Sequence, residues 1–294
     1  MSRRRELERR RRTLGEIHNI MNSMKTLAYL ETRKLTRFLA AQRAVVAHQH
    51  AVADDLLAHH PETLARATPS LAVYVLVGSE RGFCGSFNQT VLAAWDAQAE
   101  TAGDAAVIVP VGRRLCTHLE GHPRAAAFVA GAGTVEEVPA ALDRITGALA
   151  SLQARHGALA VTALYHDPDI TEIAVEQLLP PFGPAGHLRR FSCPPMLMLP
   201  PEEFLAALVD EYLFATLHQI LYLSLMAENQ RRAQHLDGAV RHLDDETAAL
   251  QRRINAARQQ EIIEEIEVIL LSADQTGGPP RARPEAPSGN GGCA

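Results

Sequence analysis

The sequence predicts an α/β protein in which long N- and C-terminal helices form an antiparallel coiled coil and a central segment forms an open, parallel-type sheet. Both ends of the chain lack proline over long stretches and carry apolar residues at seven-residue spacing. Between them, short apolar runs rich in β-branched residues alternate with amphipathic stretches. The first pattern is typical of helices that pack on other helices, and the second is typical of strand and helix alternation.

The N-terminal segment, from about residue 2 to 58, is predicted to be one helix because it contains no proline and Gly15 as its only glycine. Its apolar residues define two seams with heptad spacing, interrupted by Arg10 and Glu31. Seams of this kind become buried only against another helix. The first seam is Leu7, Leu14, Met21, Ala28 and Leu35, and the second is Ile17, Met24, Phe38 and Val45.

The C-terminal segment 202–271 is predicted to be a second long helix, since it lacks proline and contains only Gly238. Its first half is markedly apolar, and its second half is charged outside an apolar stripe with alternating spacings of four and three. The simplest partner for this stripe is the N-terminal helix, which gives an antiparallel pair. The stripe is Leu236, Val240, Leu243, Thr247, Leu250, Ile254 and Ala257.

The central segment is predicted to be an open α/β sheet of the Rossmann-like type, because short apolar runs alternate with helical patterns. Pro110 indicates a sheet edge or a strand end. The predicted strands are Leu71–Val77, Ala105–Val111, Ala125–Val129, Ala158–His166 and Glu172–Leu179, and the predicted helices are Ser86–Gln98, Arg113–Glu120 and Val135–His156.

These elements divide the chain into four parts. Residues 1–60 are the N-terminal helix, 70–190 the α/β domain, and 202–272 the C-terminal helix. Prolines crowd the exit from the α/β domain, so no long helix is expected to cross it. Residues 276–294 are rich in glycine and proline, and we expect them to be disordered.

Charge and cysteine usage exclude several classes of protein. The net charge of −5 argues against a nucleic-acid binder, although residues 1–12 contain seven arginines. Cations at a helix N-terminus oppose the helix dipole, so we expect an acidic surface, such as that of a partner, to compensate them. The four cysteines are scattered, which predicts a reducing compartment without a disulfide framework or zinc site. No run reaches the ~18 apolar residues of a membrane span.

Two motifs have the residue types of a binding site. The turn Gly78-x-x-x-Gly82-x-x-Gly85 follows a strand, where α/β proteins hold phosphate, but it lacks the Lys-Ser/Thr of a P-loop, so a structural turn is favoured. Arg81 in this turn could neutralise an anion or bind a carboxylate of a neighbouring chain. His166-Asp-Pro-Asp169 contains metal-ligand types, but a solvated loop is the favoured interpretation.

No nucleophile elbow and no H-E-x-x-H pattern is present, so we expect no catalytic residue, no cofactor and no metal. A long coiled coil favours mechanical or scaffolding work over small-molecule chemistry. Two alternatives stay open at this point, namely a nucleotide-binding α/β enzyme with helical extensions and a free-standing coiled-coil scaffold.

Three segments resemble the gamma subunit of F-type ATP synthases. Ile17–Leu35 resembles that family's N-terminal helix, with Met24-Lys25 at the position of its Met-Lys pair. Ser79-Glu-Arg-Gly-Phe-Cys-Gly-Ser-Phe-Asn88 resembles its Ser-Asp-Arg-Gly-Leu-Cys-Gly-Gly-Leu-Asn motif. Glu228-Asn-Gln-Arg-Arg232 and Asn255-Ala-Ala-Arg-Gln259 resemble its C-terminal signature helix. The segments occur in the family's order and at its spacing.

The resemblance implies a central rotor stalk without a catalytic site of its own. The partners would be three alpha and three beta subunits, epsilon and the membrane c-ring, and no nucleic acid. Such a subunit is peripheral to the cytoplasmic face of the inner membrane and touches the membrane only through the complex. The implied partner-contact residues are Met24 and Lys25, facing an acidic loop of a beta subunit, and Arg232 and Gln259, on the contact surface of the coiled coil; Arg81 is a further candidate.

The sequence also departs from the family pattern. Ala233 and Leu236 replace a pair of methionines, Ile263 replaces a threonine, and Val268-Ile-Leu-Leu271 replaces a Gly-Ala-rich ending. These departures suggest a divergent branch, such as the alternate F-type ATPases of some bacteria.

Overall fold

The computed structural model describes residues 3–63, 69–103, 105–182 and 194–276. The predicted tail, from residue 277 on, and residues 183–193 of the proline-rich exit lie outside them. The described residues form two compact units, one with the chain up to Asn19 and from Arg241 on, the other Ile20–Val240. The elements are α1 (Arg3–His59), β1 (Leu71–Val77), α2 (Phe87–Ala102), β2 (Val107–Val111), α3 (Arg113–His118), α4 (Val138–His156), β3 (Leu159–His166), β4 (Ile173–Leu179) and α5 (Pro201–Thr276).

The sheet lies in the unit Ile20–Val240 and has the strand order β2-β1-β3-β4. Strand β1 is parallel to both β2 and β3, as expected, whereas β4 is antiparallel to β3. Only residues 167–172 connect β3 to β4, and this is too short for the crossover that a parallel strand requires. The sheet is therefore mixed, with one antiparallel edge strand.

The strand predicted at Ala125–Val129 is wrong, because this segment makes only isolated bridges to β2, at Ala125 and Val129. Ile108 N and Gly112 N donate outward to Arg124 O and Val129 O. Pro110 lies between these two donors and has no N–H group. The hydrogen-bond ladder between β2 and this segment therefore lacks the bond that residue 110 would have donated. Pro110 thus marks an edge of the four-stranded sheet formed by the described residues.

The first half of α5 completes the core of this unit. Its buried side chains pack with the inner face of the sheet, with α4, and with Leu35 and Leu39 of α1. By length and composition α5 qualifies as a candidate membrane span, with a mean hydropathy of 1.3 in its most apolar window. The apolar residues of its first half nevertheless serve as the core of the α/β unit. These residues include Leu217, Ile220, Leu221, Leu223 and Leu225.

The second heptad seam predicted for α1 is wrong at its C-terminal end. Phe38 and Val45 are 50% and 47% exposed, while Leu39 and Val46 are buried in their place. A straight α-helix turns 3.6 residues per turn, so a strict seven-residue repeat drifts by about 20° per heptad around its surface. The buried stripe therefore changes from Leu35 to Leu39 by a step of four residues. The stripe predicted on α5 is confirmed at its centre, where Leu236, Val240, Leu243, Leu250 and Ile254 are buried.

Polar pairs show that α1 and α5 run antiparallel within each unit. In the terminal unit, Arg4 pairs with Glu261 at 3.2 Å and Arg10 with Glu246 at 2.6 Å. In the other unit, Lys25 pairs with Asp237 at 3.1 Å, and Gln42 Nε2 donates to the carbonyl oxygen of Ala215 at 2.9 Å. Arg4 also pairs with Glu8. The acidic groups expected to offset the arginine-rich start of α1 are thus partly supplied by this chain itself.

The histidine of the motif His166-Asp-Pro-Asp169 is a buried structural residue. Its Nε2 lies 2.9 Å from Phe87 O and 3.0 Å from Thr90 Oγ1, so the ring ties the end of β3 to the start of α2. Burial lowers the pKa of His166 from 6.5 to about 4, with the charge of Arg231 acting in the same direction. Among the described residues no group of three or more histidine, cysteine or acidic side chains could hold a metal ion.

We predict that replacing the buried Leu35 by alanine lowers the free energy of unfolding by about 2–5 kcal/mol, because it leaves a cavity in the core. Leu27→Ala on the same helix is the matched control, because Leu27 is 59% exposed. It should change stability by less than about 0.5 kcal/mol. Urea unfolding of the purified chain measures both values. Equal losses in the two variants would show that the position of the buried stripe is wrong.

A second prediction concerns pH. The neutral ring of His166 contributes its full stability above pH 6.5. Below that, the unfolded chain takes up a proton that the folded chain binds only near pH 4. The free energy of unfolding should therefore fall between these pH values, by at most about 1.4 kcal/mol per pH unit for this group. In His166→Gln this component of the slope should disappear, and an unchanged slope in denaturant titrations from pH 7 to 4.5 would contradict it.

Candidate functional site

The loop between β1 and α2, residues 78–86, lies at the carboxyl end of the parallel strands, where α/β proteins bind ligands. Two glycines allow the strand ends to approach each other closely here. A β-carbon on Gly78 would lie 2.5 Å from Cβ of Leu115. Gly112, with φ of +105°, would place one 2.6 Å from the carbonyl oxygen of Gly78. The glycines at these positions therefore serve tight packing, which supports the interpretation of a structural turn.

Glu228 of α5 binds the backbone of this loop. Its side chain is buried and accepts hydrogen bonds from the backbone N–H groups of Glu80 and Arg81, both at 3.1 Å. It also forms an ion pair with Arg232 one helical turn later. Burial raises the pKa of the Glu228 carboxyl group, while Arg232 and the two N–H groups act in the opposite direction. Three donors converge on this carboxylate, and they favour its ionised form.

The side chain of Arg232 binds groups of this chain itself. It is 4% exposed, and its Nε donates to the carbonyl oxygen of Gly82 at 3.1 Å. Its other contacts are Asn229 Oδ1 at 2.7 Å and Cys84 Sγ at 3.4 Å. The expectation that Arg232 lies on a contact surface is therefore not met, because its guanidinium group bonds the β1–α2 loop. Burial also raises the pKa of the Cys84 thiol to about 11, so this thiol stays protonated at neutral pH.

A second carboxylate, that of Glu80, belongs to the loop itself. Glu80 accepts hydrogen bonds from the backbone N–H groups of Arg113 and Gly131, both at 2.9 Å, and pairs with the side chain of Arg113 at 3.2 Å. The cavity between Gly78 and Glu228 measures about 10 Å³, room for at most one water molecule. Carboxylates of the chain itself thus occupy the backbone donors that a phosphate would need, which argues against a nucleotide site here.

The side chains of the other predicted partner-contact residues are half-buried or exposed. Lys25 is 20% exposed and pairs with Asp237 of α5 at 3.1 Å, and Met24 beside it is half-buried. Arg81 is exposed, and its guanidinium group lies against Gly133. Gln259 is exposed and belongs to the terminal unit. The structure thus brings Arg81 and Arg232 to one loop, and leaves Lys25 on the α1–α5 pair.

Sequence reasoning missed the roles of Glu228 and Glu80, although both stand in the quoted motifs. A signal was available for Glu228. A glutamate and an arginine four residues apart form a pair on one helix face, and these two follow directly on an apolar half-helix. Such a pair at the border of a buried stretch indicates an internal ion pair. Nothing in the sequence indicated that Glu80 turns back toward the start of α3.

Comparisons with known proteins cover nearly the whole chain. Residues 3–274 match the family model described as ATP synthase. The ATP synthase gamma chain of Moorella thermoacetica is 25% identical over 293 residues, which cover 93% of this chain and 99% of the relative. The gamma chain of a Parafrankia species is 25% identical over 304 residues, which cover 92% and 96% of the two chains.

Solved structures of mitochondrial ATP synthases share the fold. A chain of the Euglena gracilis assembly of OSCP, F1 and c-ring is similar with a TM-score of 0.59 and 12% identity, covering 95% of this chain and 98% of that one. A chain of the Tetrahymena thermophila central stalk and c-ring is similar with a TM-score of 0.55 and 18% identity, covering 75% and 99%. With the family model spanning most of the sequence and gamma chains as its relatives, the chain belongs to the ATP synthase gamma family.

Proposed function

We propose that this chain is the central rotor stalk subunit of an F-type ATP synthase, coupling ion flow through the membrane sector to ATP synthesis or hydrolysis in the alpha/beta hexamer. The observation that carries the proposal is the family match over residues 3–274, which includes both long helices and the sheet. Long helices without internal proline suit this role, because they keep an unbroken hydrogen-bond ladder along a stiff element.

The proposed partners are three alpha and three beta subunits, epsilon and the c-ring. The similar solved structures support this, since they are described as central stalk, F1 and c-ring parts of ATP synthases. The chain would be part of a membrane-associated complex, peripheral to the cytoplasmic face of the inner membrane. We further propose the four-part division into helix 1–60, domain 70–190, helix 202–272 and tail 276–294.

We also propose that the subunit has no catalytic site of its own. The support comes from the β1–α2 loop, where Glu80 and Glu228 fill the positions open to phosphate in nucleotide-binding sheets. The nucleotide sites would then belong to the alpha and beta subunits. This geometry disfavours the nucleotide-binding enzyme that the sequence alone left open.

Among the predicted partner-contact residues, we keep Met24, Lys25, Arg81 and Gln259 as candidates. Each has a half-buried or exposed side chain that can reach a neighbouring subunit. Lys25 is the most informative of them, because its ammonium group already has a partner in Asp237. A contact with an acidic loop of a beta subunit would make Lys25 a bridge between two negative groups.

The rotor proposal predicts that the chain joins alpha and beta subunits in a complex with one copy per hexamer. Co-expression followed by mass determination measures the stoichiometry, and ion transport driven by ATP in vesicles with the membrane sector measures coupling. Alpha and beta subunits without the chain are the control and should give no coupled transport. A soluble monomer that binds nucleotide tightly and does not bind alpha and beta subunits would contradict the proposal.

The contact at Lys25 predicts that Lys25→Glu lowers coupled transport by about twofold or more while assembly stays intact. Loss of the part-buried pair with Asp237 costs the fold only about 0–1 kcal/mol, and the second carboxylate placed beside Asp237 adds a repulsion of similar size. The double variant Lys25→Glu with Asp237→Lys restores an internal pair but not a contact to an acidic partner. We expect no rescue in it, and full rescue would assign the effect to the internal pair alone.

A further inference from the structure

Three backbone groups of the β1–α2 loop are bonded to two side chains of α5, and we call this set the loop–helix joint. It consists of the N–H groups of Glu80 and Arg81, the carbonyl oxygen of Gly82, and the side chains of Glu228 and Arg232. Both residues are at most 4% exposed. The joint therefore fixes α5 to main-chain atoms of the loop, independently of the loop's own side chains.

The loop is equally firmly bonded to the sheet domain. Ser79 N donates to Asn88 Oδ1 of α2 at 2.9 Å, and Asn88 Nδ2 donates back to Ser79 Oγ at 3.0 Å. Glu80 binds the start of α3 through Arg113 N at 2.9 Å. Phe83 is held at φ of +64°, a left-handed conformation that costs a residue with a β-carbon about 1–2 kcal/mol. The surrounding bonds hold the loop in this strained shape between α5 and the sheet.

Stability alone does not account for the joint. A buried ion pair contributes little net stability, because desolvation offsets the attraction, and well-packed apolar residues of similar volume often serve as well or better. Apolar packing already attaches α5 to the sheet through residues such as Leu221 and Leu225. That attraction is non-directional, so it opposes separation more than sliding or rotation. The hydrogen bonds of the joint are directional, and they fix the position of α5 along and around its axis.

We propose that the loop–helix joint transmits torque between the sheet domain and helix α5, with Glu228 and Arg232 as its positioning residues. The proposal rests on the rotor function proposed above. Torque that enters a rotor through one part and leaves through another must pass through contacts that resist sliding. Within the unit Ile20–Val240, this buried cluster is such a contact between the two elements.

The test is the double variant Glu228→Leu with Arg232→Met, made in the complete complex. It replaces the buried pair by apolar side chains and leaves no unpaired buried charge, so the complex should still assemble, while the backbone groups of Glu80, Arg81 and Gly82 that lose their partners lower the stability by up to about 1–3 kcal/mol each. ATP hydrolysis should continue, while the number of ions transported per ATP should fall by about twofold or more, most strongly against a large ion gradient. A purely structural pair would lower the stability in the same way but leave the transport ratio of the assembled complex unchanged.

Thr216→Val is the matched control, because it removes a buried polar group from the same helix away from the loop, and its transport ratio should equal that of the wild type. If the double variant does not assemble, the transport ratio is measured in Glu228→Gln instead. This variant keeps the size of the side chain and loses its charge. If the variant that assembles transports as many ions per ATP as the wild type, the proposed role of the loop–helix joint is wrong. A wild-type complex without any coupled transport overturns the rotor function instead.

Discussion

Burial of the apolar first half of α5 against the sheet is the interaction on which the rest of the structure depends. Leucines and isoleucines between Leu217 and Leu225 fill the face of the sheet that α4 and α1 also cover. This burial brings the next turn of α5, with Glu228, to the carboxyl end of β1. Because the helix is continuous, packing in one turn brings the polar groups of the next turn close to the loop, and their hydrogen bonds then fix the position of the helix.

The sheet domain has the architecture of a nucleotide-binding fold, but its ligand end is occupied by the chain's own carboxylates. Glu228 takes the amide donors after β1, and Glu80 takes those at the start of α3. In a phosphate site the same donors would face an anion from solution. The backbone donors that bind phosphate in other α/β proteins here attach a loop to a helix, which supports the mechanical role proposed for the subunit.

Several basic side chains of α1 are likewise paired with carboxylates of the chain itself. Arg4, Arg10 and Lys25 are the residue types that a partner surface could attract, and each has an acidic partner on α5. Exposed pairs of this kind contribute little stability but disfavour other registers of two antiparallel helices. A basic residue on such a helix pair is therefore weak support for an intermolecular contact until its internal partner is known.

The sequence by itself determined the long helices, strand β1 and most of the other elements, because proline-free heptads and alternating apolar runs are local patterns, and its three motifs indicated the family by resemblance. It wrongly predicted a strand at Ala125–Val129, and it missed the step from Leu35 to Leu39 and the antiparallel β4, since these depend on hydrogen-bond partners, helix drift and connection length. Only the tertiary structure decided that Arg232 is internal. The spacing of four residues is a local signal for a pair with Glu228, but the burial of Arg232 becomes favourable only when the carbonyl oxygen of Gly82, distant in sequence, also accepts a hydrogen bond from it.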